Sequence, residues 1–301
     1  MRDQPLGRSG LSVSAIGLGC NNFGGRLDRD GTRAVIDAAL DAGITFLDTA
    51  NIYSAGASER LIGEALDGRR DRVVLATKFG MEMGDEEGRP RGSREYARRS
   101  LDASLKRLGT DRVDLFYYHE PDGFTPLTET LGALAELADE GKVRAFGVSN
   151  LDAAQLREAA AFGDPRLAAL QNEYSLLERG AERELLPLCR EHGIGFVPYF
   201  PLARGLLTGK FRRGQDPPAG TRLADRPDLL TGAVFDRLEA LEAFASERGR
   251  TLLELAIAAL ASQPGVASVI AGAMSPEQVA ANAAAGGWDL GADDRDALAR
   301  L

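Results

Sequence analysis

The feature that most restricts the fold is an alternation along nearly the whole chain. A short, almost wholly apolar run is followed by a longer run with apolar residues three and four apart. "VSAIGLG", starting at Val13, precedes "TRAVIDAALDAG"; "ITFLDTA" precedes "SERLIGEALDG"; "RVVLATKF" precedes "SREYARRSLDASLKRLG"; "VDLFYYH" precedes "PLTETLGALAELADEG". The pairing continues through "VRAFGVSN", "LAALQNEYS", "GFVPYFP" and "ASVIAGA". Runs that are apolar on both faces predict buried parallel strands, and the longer runs predict amphipathic helices covering them. Gly43, Gly68, Gly109, Gly141 and Gly193 stand where those helices should stop. Eight such pairs joined by right-handed crossovers read as an α/β fold of the (β/α)8, or TIM, barrel type, with a doubly wound sheet as the alternative.

Three segments are additions to that repeat. "LGRSGLSVS" predicts a small β-hairpin ahead of the first barrel strand. After the seventh strand comes one long irregular loop, Ala203 to Asp228, and then the extra helical pattern "FDRLEALEAFASERG" before "TLLELAIAALASQPG". A short helix, "ADDRDALARL", closes the chain. Long loops in compact domains are usually functional, and this one follows a strand on the face where barrels keep their sites. No linker or low-complexity tract divides the sequence, so residues 1–301 are expected to form a single domain. Barrels of 301 residues are ordinary.

Charge and cysteine usage narrow the function. Lys plus Arg number 36 and Asp plus Glu 45, a net charge of −9, which argues against nucleic acid or an anionic membrane as partner. Cys20 and Cys189 make neither a disulfide framework nor a metal-ligand spacing, so no metal is expected and a reducing cytoplasm fits. "MRDQPLGRSGLSVSA" carries no apolar run of the kind a signal peptide has, and no stretch approaches the roughly 20 apolar residues of a membrane span.

Four chemical groups fall at successive strand ends. Asp48 and Tyr53 follow the second barrel strand, Lys78 lies near the end of the third, in "LATKFG", and His119 closes the fourth, in "DLFYYHEPD". Neighbouring strand ends converge on one bowl. A phenol with a pKa near 10 needs help to work at neutral pH. A nearby ammonium lowers its pKa, and a buried ammonium needs a counter-ion, which Asp48 can supply. The set reads as a relay that delivers a proton to a carbonyl oxygen, with His119 orienting that oxygen. Each residue also has a plainer reading. Asp48 can cap a turn with Tyr53 packed over it, Lys78 can be a Schiff-base lysine as in barrel aldolases, and His119 can satisfy buried backbone groups.

At these residues the chain resembles an aldo-keto reductase, and the resemblance covers almost its whole length. "GLGCNNFGG", "FLDTANIYSAGASERLIGEAL", "LATKFG", "VDLFYYHEPD", "GKVRAFGVSN", "LQNEYSLLER", "YFPLARGLLTGKF" and "VIAGAMSPEQVAAN" match the family's motifs in order. The resemblance implies a nicotinamide cofactor, usually NADPH, lying across the barrel mouth without a Rossmann domain. It implies Tyr53 as general acid, tuned by Asp48 and Lys78, with His119 orienting the carbonyl. Gly19, Cys20, Asn21 and Asp48 would border the cofactor. Ser149, Asn150 and Gln171 would hold its carboxamide, and Tyr199 would lie against the nicotinamide. Pro201, Leu202, Gly205 and Leu206 would wrap the pyrophosphate, with Lys210 and Arg222 near the phosphates. Gly272, Met274, Ser275, Gln278 and Asn282 would face the adenosine end. The implied reaction is reversible reduction of an aldehyde or ketone; a nucleotide-binding regulatory barrel with slow redox activity is the alternative, since some relatives are ion-channel subunits.

The sequence also departs from the family pattern. Many relatives place Arg or Lys at the position of Met274, where the cofactor's 2′-phosphate is met. Ser275, as an N-cap, and Pro276, at the first helical position, still predict a helix N-terminus there, with Gln278 placed for a capping box. NADPH is therefore expected, by a modest margin, and NADH is possible. No long C-terminal loop follows "ADDRDALARL", so the substrate walls are expected from "EPDGFTP", "GMEMGDEEGRPRGS" and the loop after Tyr53.

Overall fold

The computed structural model describes residues 1–83, 90–221, 223–224 and 226–301. Strands β1 (Asp3–Pro5) and β2 (Ser12–Ser14) form an antiparallel hairpin. The barrel begins with β3 (Ile16–Gly19) and α1 (Arg29–Asp41), then β4 (Phe46–Asp48) and α2 (Ala57–Ala65), β5 (Val74–Phe79) and α3 (Arg94–Leu108), β6 (Val113–Tyr118) and α4 (Leu127–Asp139). It continues with β7 (Val143–Ser149) and α5 (Ala153–Ala161), β8 (Leu167–Glu173) and α6 (Leu185–His192), and β9 (Gly195–Tyr199) with α7 (Gly232–Ser246) and α8 (Leu252–Ala261). Strand β10 (Val269–Gly272), α9 (Pro276–Ala285) and α10 (Ala292–Leu298) complete the chain. The apolar run "VSAIGLG" does not form one strand: Val13 pairs with Gln4 in the hairpin, the chain leaves it at Ser14, and β3 begins at Ile16.

The eight barrel strands are parallel and lie in the order β10-β3-β4-β5-β6-β7-β8-β9. The cylinder closes through Phe196, whose N–H donates to Gly265 O at 2.9 Å and whose carbonyl accepts from Ala267 N at 2.8 Å. Two residues on, Pro198 faces the same side and has no N–H to give, so the seam between β9 and β10 opens toward the mouth.

Alternation along the strands sorts the side chains. Phe46, Ala76, Leu115, Ala145, Ala169, Val197 and Ile270 form a buried interior cluster together with Leu6, Leu11 and Val13 of the hairpin, which closes the floor. A Cβ on Gly7, which has φ +59, would sit 2.5 Å from Ala168 O, so only glycine lets the hairpin approach so closely. The opposite parity packs against the helices as the larger outer core. Helices α3 and α6 end on Gly109 and Gly193 in the left-handed conformation, as expected. Among the described residues, no helix is long and apolar enough to cross a membrane.

Candidate active site

Counting inward positions up each strand leads to the mouth. Asp48 follows Phe46, Lys78 follows Ala76, His119 follows Leu115 and Tyr117, Ser149 follows Ala145 and Gly147, and Gln171 follows Ala169. All five are buried. Strand pairing seats Gly19 beside Asp48 and Gly272 beside Gly19, so this part of the rim carries no side chains beyond the carboxylate.

The four residues of the expected relay lie together. Lys78, wholly buried, donates from Nζ to Asp48 Oδ1, and also to Thr49 O at 2.9 Å. The same nitrogen lies 5.3 Å from the centroid of the half-buried Tyr53 ring and 5.7 Å from that of Tyr117. The Tyr53 and His119 rings meet edge to face at 6.0 Å. Electrostatics follow from burial. Desolvation works against the Lys78 ammonium, but Asp48 and Tyr53 outweigh it, and its pKa is raised. A Schiff-base lysine needs a neutral amine, so the aldolase reading fails on this point. Burial, and then the Lys78 charge, lower His119 to about 3, so its imidazole is neutral. The expectation that Lys78 would lower the Tyr53 pKa requires correction. Burial raises it by more than the ammonium pulls it down, and the phenol keeps its proton.

The turn that carries Tyr53 is held from outside the barrel. Ser54 and Ala55 both have positive φ, and Gly56 follows at φ +83. Behind them Glu59 accepts from Thr77 Oγ1 and from Arg107 Nε, each at 2.6 Å, and Ser58 Oγ donates to Cys20 O at 2.9 Å. On the other side of the mouth, Asp122 accepts from the N–H groups of Gly92, Phe124 and Thr125 at 2.7 to 2.9 Å, pinning the loop after His119 to the one after β5. Sequence reasoning missed Tyr117, although it stands two residues before His119 on the same face. It also missed Asp122, although an Asp before Gly in a turn commonly binds backbone N–H groups ahead of it. Glu59 and Arg107 gave no local signal, since they meet only through tertiary contact.

The expected cofactor residues divide into several kinds. Asn150, at φ +59, donates to His119 O at 3.0 Å and to Ser149 Oγ at 3.2 Å, and its Oδ1 accepts from Tyr199 OH at 2.8 Å. Gln171 Nε2 donates to Asp48 Oδ2 at 2.9 Å. Cys20 is fully buried in the outer core, and burial lifts its thiol well above the usual pKa, so only its backbone borders the mouth. Asn21 is exposed, whereas Asn22 is buried and donates to Ala273 O. Pro201 is buried, and Leu202 and Leu206 pack against the outer core, leaving backbone to face a ligand. The chain turns sharply here, with positive φ at Ala203, Arg204 and Gly205. A Cβ on Gly205 would come within 3.2 Å of Lys210 Nζ. Arg222 and residues 84–89 of "GMEMGDEEGRPRGS" lie outside the described residues.

At α9, Ser275 is the N-cap and Pro276 the first helical residue, as expected. Gln278 Oε1, however, accepts from Met274 N at 2.8 Å rather than from the cap itself. Ser275 Oγ accepts from Gln278 N at 3.4 Å, and its hydrogen bond to Glu277 holds that carboxyl below the usual range. Asn282 is buried and donates to Gly272 O at 3.4 Å.

Residues 15–301 match the model of the aldo/keto reductase family. The NADH-specific methylglyoxal reductase of Escherichia coli (strain K12) is 38% identical over 324 residues, covering 99% of this chain and 96% of that protein. A probable voltage-gated potassium channel subunit beta of Oryza sativa subsp. japonica is 38% identical over 300 residues, covering 94% of this chain and 90% of its own. Among solved structures, the holo form of an aldo-keto reductase from Bacillus halodurans superposes with a TM-score of 0.85 at 34% identity, covering 100% of this chain and 96% of that one.

Proposed function

This chain belongs to the aldo/keto reductase family and is an NAD(P)H-dependent oxidoreductase of carbonyl compounds, and on that premise we propose that Tyr53 is the acid that protonates the carbonyl oxygen. The observation that carries this reading is the phenol's setting, half-buried beside a Lys78 ammonium that is wholly buried and paired with Asp48. The nicotinamide, when bound, supplies the hydride. Every other part of the step falls to side chains. Burial keeps the proton on Tyr53 until a basic oxygen is presented, and Lys78 stabilises the charge left behind. Asp48 keeps Lys78 charged and in place. His119 is neutral and orients the oxygen without competing for its proton. Alcohol oxidation is the same path reversed. A regulatory barrel with slow redox chemistry is the weaker reading, since all four groups of the relay lie together.

The residues present fit a dinucleotide. Ser149, Asn150 and Gln171 bring a hydroxyl and two amides to adjoining strand ends, the chemistry a carboxamide requires. Tyr199 stands beside them through its bond to Asn150. The bare backbone at Gly205 beside Lys210 suits a pyrophosphate. At the adenosine end Met274 brings no charge, Glu277 brings a negative one, and Gln278 already uses an N–H. The margin between NADPH and NADH is accordingly narrow. The substrate is a small aldehyde or ketone, and the name of the E. coli relative makes methylglyoxal the first to try. Tyr53→Phe tests the reading. Turnover should fall at least about a hundredfold with cofactor affinity little changed, and activity kept within a few-fold would exclude Tyr53 as the acid.

A further inference from the structure

Gln171 stands on β8, and its side chain reaches across the barrel to a carboxylate on β4. Its Nε2 donates to Asp48 Oδ2 at 2.9 Å, with Gln171 2% and Asp48 1% exposed. The two oxygens of Asp48 are thus divided, Oδ1 taking Lys78 and Oδ2 taking Gln171. A carboxylate bonded through one oxygen can swing about its terminal torsion, which is broad, whereas one bonded through both is fixed. In a dry site a charge-assisted hydrogen bond is among the stronger ones.

We propose that Gln171 is a positioning residue for proton transfer: it locks the Asp48 carboxylate so that Oδ1 stays on Lys78 and the ammonium stays under Tyr53. The inference rests on reading Tyr53, Lys78 and Asp48 as one relay. Lys78 is held by Thr49 O as well, so Gln171 acts on the ammonium only through its counter-ion, fixing the second of its two anchors. The Tyr117 hydroxyl faces the same amide without a hydrogen bond of good geometry, whereas the bond to Asp48 is well formed.

The test separates this role from a seat for the carboxamide. Gln171→Leu removes the donor. Gln171→Glu keeps the shape but donates to Asp48 only while its carboxyl is protonated. For each, dissociation constants of NADH and NADPH are measured by calorimetry, and kcat is measured at saturating cofactor and substrate from about pH 5 to about pH 9. Gln171→Leu should lose about ten- to a hundredfold in kcat, as expected for a hydrogen bond to a charged group, while NADH and NADPH weaken alike and by only a few-fold, the share of one amide among the groups that face the carboxamide. Gln171→Glu should approach native turnover at the acid end and fall as the pH rises, because the donor is lost with its proton. Weaker nucleotide binding with native kcat at saturation would overturn the proposal, and so would two variants equally slow at every pH. Thermal unfolding checks the fold, and the nearly isosteric Glu variant decides the matter if the Leu variant does not fold. Tyr53→Phe separates the two failures. If it is active, the relay itself falls; if it is inactive while Gln171→Leu has native kcat, only the role of Gln171 falls.

Discussion

At the floor of the barrel, Asp114 at the start of β6 accepts from Arg70 at 2.7 Å, from Arg144 at 2.9 Å and from the Leu75 N–H at 2.9 Å. At the mouth, the same strand runs on to Tyr117 and His119, whose hydroxyl and Nδ1 are buried without a hydrogen-bond partner among the described residues. The contrast extends to the backbone. Every non-glycine residue with positive φ among the described residues, namely Ser54, Ala55, Asn150, Phe200, Ala203 and Arg204, lies in a loop that leaves the mouth. Unmet polar atoms and held-open backbone are both destabilising, and they persist only where the surroundings impose them. Unmet atoms are not confined to the mouth, since Arg70 Nε at the floor also lacks a partner among the described residues, but only the mouth joins them to positive-φ backbone and turns them toward the site.

That difference breaks most clearly if a buried ion pair is cut at each end. Lys78→Met should abolish turnover by at least about a hundredfold, since Asp48 left alone adds negative charge beside the phenol. Asp48→Asn combined with Lys78→Met should be little slower than Lys78→Met alone, because the two act as a unit. Asp114→Asn should instead lower stability by about 3 kcal/mol in urea unfolding and leave kcat unchanged while the protein is folded. A folded Asp114→Asn with impaired turnover would show that the two ends are not separable.

His119 sharpens the same comparison through pH. Its folded pKa, about 3, lies below the ordinary value of 6.5. Between those values the unfolded chain binds a proton that the folded chain refuses. The contribution of His119 to stability is therefore complete above about pH 6.5 and is lost as the pH falls toward 3, by about 1.4 kcal/mol per pH unit. His119→Asn should flatten this limb in urea titrations across that window. An unchanged slope would mean that the imidazole is not held neutral.

How far the sequence revealed all this differs between the two ends. Periodicity exposed the barrel, because inward and outward positions of a buried strand are both apolar and a break such as Lys78 or His119 stands out. It also brought Asp48, Tyr53, Lys78 and His119 to one bowl. It misjudged the Tyr53 pKa, because burial depends on every neighbour while the charge of Lys78 depends on one. The pairing of Gln171 with Asp48 was illegible, since the two are 123 residues apart and face each other only once the cylinder closes. The crowded N-terminus of α9 was half legible: Ser275 announces the cap, but nothing in the spelling says that Gln278 folds back onto Met274.

That N-terminus allows a smaller effect to be measured. Met274→Arg places a cation where only dipoles and Glu277 now stand. It should tighten NADPH by up to about tenfold, the scale of one charge-assisted hydrogen bond offset by solvent exposure, and leave NADH nearly unchanged. Calorimetry with both nucleotides checks it. Equal gains for both, or none, would mean that this part of the mouth does not meet the 2′-phosphate.

The smallest effect concerns the strain itself. Ala55 is exposed and sits at φ +52, a conformation that costs an L-residue about 1–2 kcal/mol. Its neighbours impose it. A Cβ on Gly24 would lie 2.5 Å from Ala57 Cβ, so the preceding loop leaves the turn no room to relax, and Arg107 presses on Gly56 from the other side. Ala55→Gly removes the steric penalty but adds freedom to the unfolded chain, which takes back about 0.5–1 kcal/mol. The net gain should be about 0.5–1 kcal/mol in urea unfolding, with turnover lowered a few-fold as Tyr53 gains latitude. On the floor, where no such residue exists among those described, no equivalent substitution is available. If Ala55→Gly lowered stability, the backbone at this turn would be unstrained, and the contrast with the floor would rest on the remaining positive-φ residues of the mouth, Asn150, Phe200, Ala203 and Arg204.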